Sequence, residues 1–139
     1  MHYTQDMLNY VHHRFAENLA ATNRVTLLSR GTDGIDISEV ACCARGIRLY
    51  LLLPVYSEHL HNFQQDRRMT AFCNAWLIHG SIHDTDTNEE AIAMSCFPQA
   101  EKQLGKIMCV QVRMMQILRA TSWDIVETIE LDDSDPIPI

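Results

Sequence analysis

The sequence predicts a mainly β chain, closed into an antiparallel barrel with helices on its flanks. Three observations carry that reading. Seven apolar-rich segments of strand length recur along the chain, most of them bounded by turn signals. Several of their connections are too short for a helical crossover, as where only Asn74 and Ala75 separate two of them. Helices are few, and closing the sheet removes edges that would otherwise lie open.

The chain has 139 residues, enough for one domain with a real core (residues 1–139) and too few for two ordinary ones. Its 47% hydrophobic and 21% charged residues are those of a soluble globular protein. A formal net charge of −7 argues against a nucleic-acid binder, which needs a basic face for phosphates. No basic, apolar leader and no long apolar span stands out, so neither export nor a membrane partner is expected. The five cysteines are odd in number and form no Cys-x-x-Cys pair, which predicts buried, reduced thiols in a cytoplasmic protein.

In chain order, Leu8, Val11, His12, Phe15 and Leu19 recur at helical spacing and predict an amphipathic helix to about residue 20. His12 and His13 are adjacent, so on a helix they diverge and cannot easily share a metal. Val25 to Ser29 reads as a strand, followed by the turn residues Gly31-Thr32-Asp33-Gly34. Ile35 to Ala44 and Ile47 to Leu53 are the next two strands, and Pro54 stops the second. Ser57 is placed to cap a helix over Glu58 to Gln65, with Leu60 and Phe63 on one side. Strands follow at Arg68 to Cys73 and Trp76 to Asp84. Thr87 and Glu90 have the spacing of a capping box for a helix through Ala91, Ile92 and Met94. Phe97-Pro98 interrupts it, a short helical piece runs from Gln99 to about Leu104, and strands at Met108 to Leu118 and Ser122 to Leu131 complete the barrel. The acidic, proline-broken tail 132–139 is expected to fray.

One stretch has a more specific pattern. Ser57 to Arg68 reads Ser-x-His-x-x-Asn-Phe-x-x-Asp-x-Arg, with a strand before it and two after, the second leading into Gly80. It resembles the central segment of the pyridoxamine 5'-phosphate oxidase-like, FMN-binding split-barrel family, whose usual form is Ser-x-Lys-x-x-Asn-Leu-x-x-Asp-Pro-Arg. The order of elements from Leu8 to Leu131 is similar throughout, which implies a split β-barrel of the FMN-binding type. It also implies a homodimer with FMN in a groove between subunits. Carried over, Ser57 matches the phosphate-contacting serine, His59 the lysine, and Leu53 a contact at the strand end. Ser38, Glu39 and Val40 lie in the second-strand segment that runs along the flavin. Ala75-Trp76 fall near its ring edge, and Trp123 corresponds to an aromatic that stacks on the flavin of the other subunit, whereas the residues by themselves read as two strand tryptophans in core or dimer-interface packing.

The departures concern charge. Ile37 and Cys42 stand where fully equipped oxidases have arginine and lysine, and Glu58 stands where an arginine is common. A carboxylate there opposes a phosphate, and Arg45, Arg48, Arg67 or Arg68 would have to compensate. No arginine-bearing substrate motif occurs around Trp123 to Leu131, so pyridoxamine phosphate oxidase activity itself is not expected. The resemblance implies a flavin-dependent oxidoreductase of unknown substrate, with no catalytic acid or base evident. The alternative is a non-catalytic flavin- or haem-binding protein on the same scaffold, with His61 and His79 the candidate haem ligands. No ligand spacing marks a metal site.

Overall fold

The computed structural model describes residues 23–45, 48–73, 75–97, 105–119 and 121–130, together with His13 and Glu17. Among them are β1 (Arg24–Gly31), β2 (Gly34–Arg45), β3 (Arg48–Pro54), α1 (Glu58–Gln65), β4 (Arg68–Cys73), β5 (Trp76–Asp84), α2 (Thr87–Met94), β6 (Gly105–Leu118) and β7 (Ile125–Glu130). The expected N-terminal helix (its His13–Glu17 pair apart), the helical piece at 99–104 and the tail at 132–139 lie outside the described residues.

The strands run in the order β3-β2-β1-β4-β5-β6-β7, and β3 also pairs with β6. Six antiparallel strands thus close a ring, as the sequence predicts, and β7 stays outside it. The split is made by β6. One of its edges carries β5 from Met108 to Ile117. The other edge carries β3 over Gly105–Val110 and then β7 over Met114–Leu118.

The barrel is filled from alternate positions of its strands, among them Leu27, Leu51, Ala71, Ile78 and Met115. β3 reads as an unbroken apolar run because both of its faces are covered. Leu49, Leu51 and Leu53 point into the barrel, while Tyr50 and Leu52 meet Ala93, Phe97 and Ile107 in a second cluster beside α2.

Three expectations are corrected. The capping box of α2 is Asp86 with Glu89, one residue earlier than Thr87 with Glu90. Asp86 Oδ1 accepts from the Glu89 amide at 2.7 Å. Glu89 is also drawn to β3, where Arg48 Nη1 and the Tyr50 hydroxyl donate to it, so packing selects this register. Trp123 is not in a strand. Its amide donates to the Arg119 carbonyl at 2.7 Å, which keeps Trp123 in a turn and delays β7 to Ile125. Finally, not all the cysteines are free. Cys43 of β2 and Cys96, just beyond α2, form a disulfide with 6.0 Å between their Cα atoms. The docking of α2 brings together two residues that are 53 apart in sequence.

Candidate functional site

α1 lies against the β1–β2 hairpin. β2 pairs with β3 only from Ala41 to Arg45, so residues 34–40 extend past it. No other described strand pairs with that edge. The helix starts where Pro54 ends β3, with Ser57 as its cap; Ser57 Oγ accepts from the His59 amide at 3.1 Å. Its buried side carries His59, Asn62 and Phe63.

Phe63 joins the barrel core, and the two polar residues form a continuous chain of hydrogen bonds. Asn62 Nδ2 donates to Asp36 Oδ2 at 2.6 Å and to Ser29 Oγ at 2.9 Å. Ser29 Oγ lies 2.5 Å from His59 Nδ1, and Ser38 Oγ lies 2.7 Å from His59 Nε2. Ser29 is buried, and the Nδ1 atom is the acceptor within its reach. Its hydroxyl therefore donates to Nδ1, leaving the proton on Nε2 to be donated to Ser38. Burial pushes the His59 pKa below its ordinary value, against an opposing pull from Asp36, so the ring is held neutral. Gly31 is needed beside this chain, since a Cβ there would run into the Asn62 amide oxygen.

The residues matched to flavin contacts therefore separate into three groups. Val40, Leu53 and Trp76 are buried in the barrel core, so only their backbone could meet a ligand. Ser57, His59 and Ser38 gather at α1, but the His59 ring faces the barrel end with both nitrogens taken by serines. Glu39 is exposed on β2, within 3.8 Å of Arg24. Trp123 is exposed in its turn and tilted against Phe72, with 5.5 Å between ring centroids. Its φ of +62° is unusual for so bulky a residue.

Beside the α1 cap is a groove of about 830 Å³, lined by Ser57, Glu58, His61, Arg67 and Lys106, among others. A neighbouring cavity of about 310 Å³, under the Gly31–Asp36 turn, shares Glu58 and His61 with it. Lys106 Nζ lies 2.9 Å from Asp84 Oδ1 and holds that carboxyl below its usual pKa. Arg67 Nη1 donates to the Ile82 carbonyl at 3.2 Å. Sequence reasoning passed over Lys106, although it pairs across the ladder with Leu53, the matched strand-end residue.

The outer face holds a different site. Between His79 and Gly80 the β5–β6 register slips, so that His79 faces Met114, Gly80 faces Val112, and Arg113 is the extra residue of a bulge. A Cβ on Gly80 would collide with the Gln111 carbonyl, which is why this position is glycine. His79 is fixed by Thr70 Oγ1 on Nδ1 (3.2 Å) and Gln116 Oε1 on Nε2 (3.0 Å). Among the described residues no group of three or more His, Cys, Asp or Glu converges as a metal site. Burial raises the Cys42, Cys73 and Cys109 pKa values to about 12, 11 and 11, which makes them poor nucleophiles. No described helix is long and apolar enough to cross a membrane.

No family model matches the sequence, and no curated protein matches it. Solved structures do resemble the fold. A haem-binding protein from Mycobacterium smegmatis aligns with a TM-score of 0.69 and 18% identity over 86% of this chain, which spans 57% of that protein. A protein from Clostridium acetobutylicum, related to general stress protein 26 and of the pyridoxinephosphate oxidase family, aligns at 0.62 and 12% identity, over 89% of this chain and 96% of that one. An FAD-binding protein from Mesorhizobium loti aligns at 0.57 and 10% identity, over 73% and 89%. The chain has the split-barrel fold of the pyridoxamine 5'-phosphate oxidase-like proteins.

Proposed function

We propose that this protein binds FMN in the groove at the start of α1 and serves as a flavin-dependent oxidoreductase. The observation that carries the reading is the meeting of Ser57, Arg67 and Lys106 in one groove of about 830 Å³. A phosphate there has a hydroxyl and two cations to meet, although His59 has been withdrawn, Glu58 and Asp84 oppose it, and it would have to draw Lys106 away from Asp84. The edge of β2 at residues 34–40, with which no other described strand pairs, offers backbone donors and acceptors of the kind that a flavin ring edge needs. When bound, the flavin supplies the hydride or electron transfer. The chain's part is to seat the phosphate and to hold α1 in place through the Asp36–Asn62–Ser29–His59–Ser38 chain.

A homodimer belongs to the same reading. Ile37, Trp123, Ile125 and Val126 are large apolar residues left about half exposed or more, and a second copy of the chain would cover them. Haem is the second reading, favoured by His61, which lines both cavities beside α1.

The test is a visible spectrum of the protein as purified, followed by titration with FMN, riboflavin and haem. FMN should bind at least tenfold tighter than riboflavin, Lys106→Gln should remove that preference, and Glu58→Arg should increase it. Equal binding of FMN and riboflavin would show that the groove is not a phosphate seat. A Soret band that is lost in His61→Ala, with no flavin uptake, would shift the assignment to haem.

A further inference from the structure

The cavity at the β5–β6 bulge has a chemistry of its own. It encloses about 410 Å³, within the range of small-molecule sites, and lies on the outer face of the barrel. Arg30, Arg68 and Arg113 line it together with Asp66, so three guanidiniums and one carboxylate meet at one cavity, on a chain whose formal net charge is −7.

The three arginines are not equivalent. Arg68 is neutralised locally: its Nε and Nη2 donate to Asp66 Oδ1 and Oδ2 at 3.0 and 2.8 Å. Arg30 forms no hydrogen bond or close ion pair with another described residue, and its charge adds to that of Arg68 in holding the Asp66 carboxyl below its usual pKa. Arg113 is the extra residue of the bulge and lines the cavity, with its Nη2 donating to Gln111 Oε1 at 3.5 Å. Gly80, directly beside it, leaves that part of the wall without a side chain. Thr70 and His79 add a hydroxyl and a ring held in place by Gln116, and Leu28 and Ile35 supply apolar wall.

We infer that this cavity binds a small organic acid, its carboxylate taken between Arg30 and Arg113 and its apolar body laid against Leu28 and Ile35. A guanidinium matches a carboxylate through paired N–H donors, which a lysine or a lone backbone amide cannot do. The apolar wall separates this ligand from inorganic anions, which gain nothing by covering it. The site lies apart from the groove at α1 and needs no flavin.

The test uses 2-naphthoate as probe, with 2-naphthamide as its neutral counterpart and inorganic phosphate as the bare anion, followed by amide shifts in two-dimensional NMR and by calorimetry. Saturable 2-naphthoate binding with shifts concentrated at Thr70, Gly80 and Arg113 is expected. Arg30→Gln and Arg113→Gln should each weaken it roughly tenfold. Arg30→Gln alters an exposed side chain and keeps the protein folded, so its effect reports binding alone. Equal affinity for 2-naphthamide would overturn the role of the arginines. Phosphate binding as tightly as 2-naphthoate would overturn the organic body, and shifts confined to the α1 groove would overturn the site. Failure of FMN to bind would leave this result unchanged, because no readout depends on flavin.

Discussion

α1 is held to the barrel by Phe63 in its core and by a buried chain of hydrogen bonds linking Asn62 and His59 with Asp36, Ser29 and Ser38, whereas α2 is held by Ala93 and Phe97 against Tyr50, Leu52 and Ile107, by Arg48 and Tyr50 on the partly exposed Glu89, and by the Cys43–Cys96 bond. The two helices have the same length, eight residues, so neither is long enough to be stable alone. What differs is how each seam specifies position. A chain of buried donors and acceptors is satisfied in one register only, and a shift leaves several polar groups without partners. Apolar contacts tolerate small shifts, and at α2 the bonds to Glu89 and the disulfide supply the missing definition. The helix beside the proposed flavin groove is the one whose position is set by a buried chain of directional bonds.

The largest expected difference is covalent. Replacing Cys43 and Cys96 together by serine reopens a segment of 53 residues and should lower stability by about 2–4 kcal/mol. Urea unfolding of the double variant, set beside the wild type with and without reductant, checks this. An unchanged midpoint would mean that packing alone seats α2.

A smaller effect is expected at the caps. Asp86→Ala removes a reciprocal box and should cost about 1–2 kcal/mol, while Ser57→Ala, which loses a single 3.1 Å bond, should cost about 0.5–1 kcal/mol. If thermal unfolding ranks the two the other way round, the Arg48 and Tyr50 contacts to Glu89 hold α2 without its cap.

The third difference depends on pH. The folded chain holds His59 below its ordinary pKa of 6.5, so near and below that pH the unfolded chain takes up a proton that the folded one refuses. The contribution of His59 to stability is therefore fully present above about pH 6.5 and is lost as pH falls through its folded value. Melting temperatures measured from pH 7.5 to pH 5 should fall less steeply in His59→Gln than in the wild type. The cysteine double variant, altered only at the bond between β2 and the end of α2, should keep the wild-type slope. If His59→Gln keeps that slope as well, the ring is not the group that titrates.

Much of the fold was legible wherever the signals are local. Ser57, Pro54 and the short turn at 74–75 mark α1, β4 and β5, and those elements run over the expected residues. Long-range partners were not legible. The inward turn of His59 depends on Ser29 and Ser38, which are 30 and 21 residues away and carry no sign of the pairing. Arg113 enters a cavity only because the β5–β6 register slips beside Gly80, and that glycine was read as a family feature rather than as a close approach to Gln111. Trp123 looked like part of a strand because the alternation around it is apolar, but the Arg119 carbonyl had already drawn it into a turn. The cysteine pairing was missed for the same reason as His59, since it needs α2 docked before the two residues meet.

The sharing of β6 has a mechanical consequence. Since β7 lies outside the closed ring, tension applied at the C-terminal end would peel β7 from Met114–Leu118 one ladder bond at a time, while the six-stranded ring stays closed. The first load-bearing event is then the withdrawal of Ile129, the buried side chain through which β7 reaches the core. Rupture of the ring itself would be a separate, later and stiffer event.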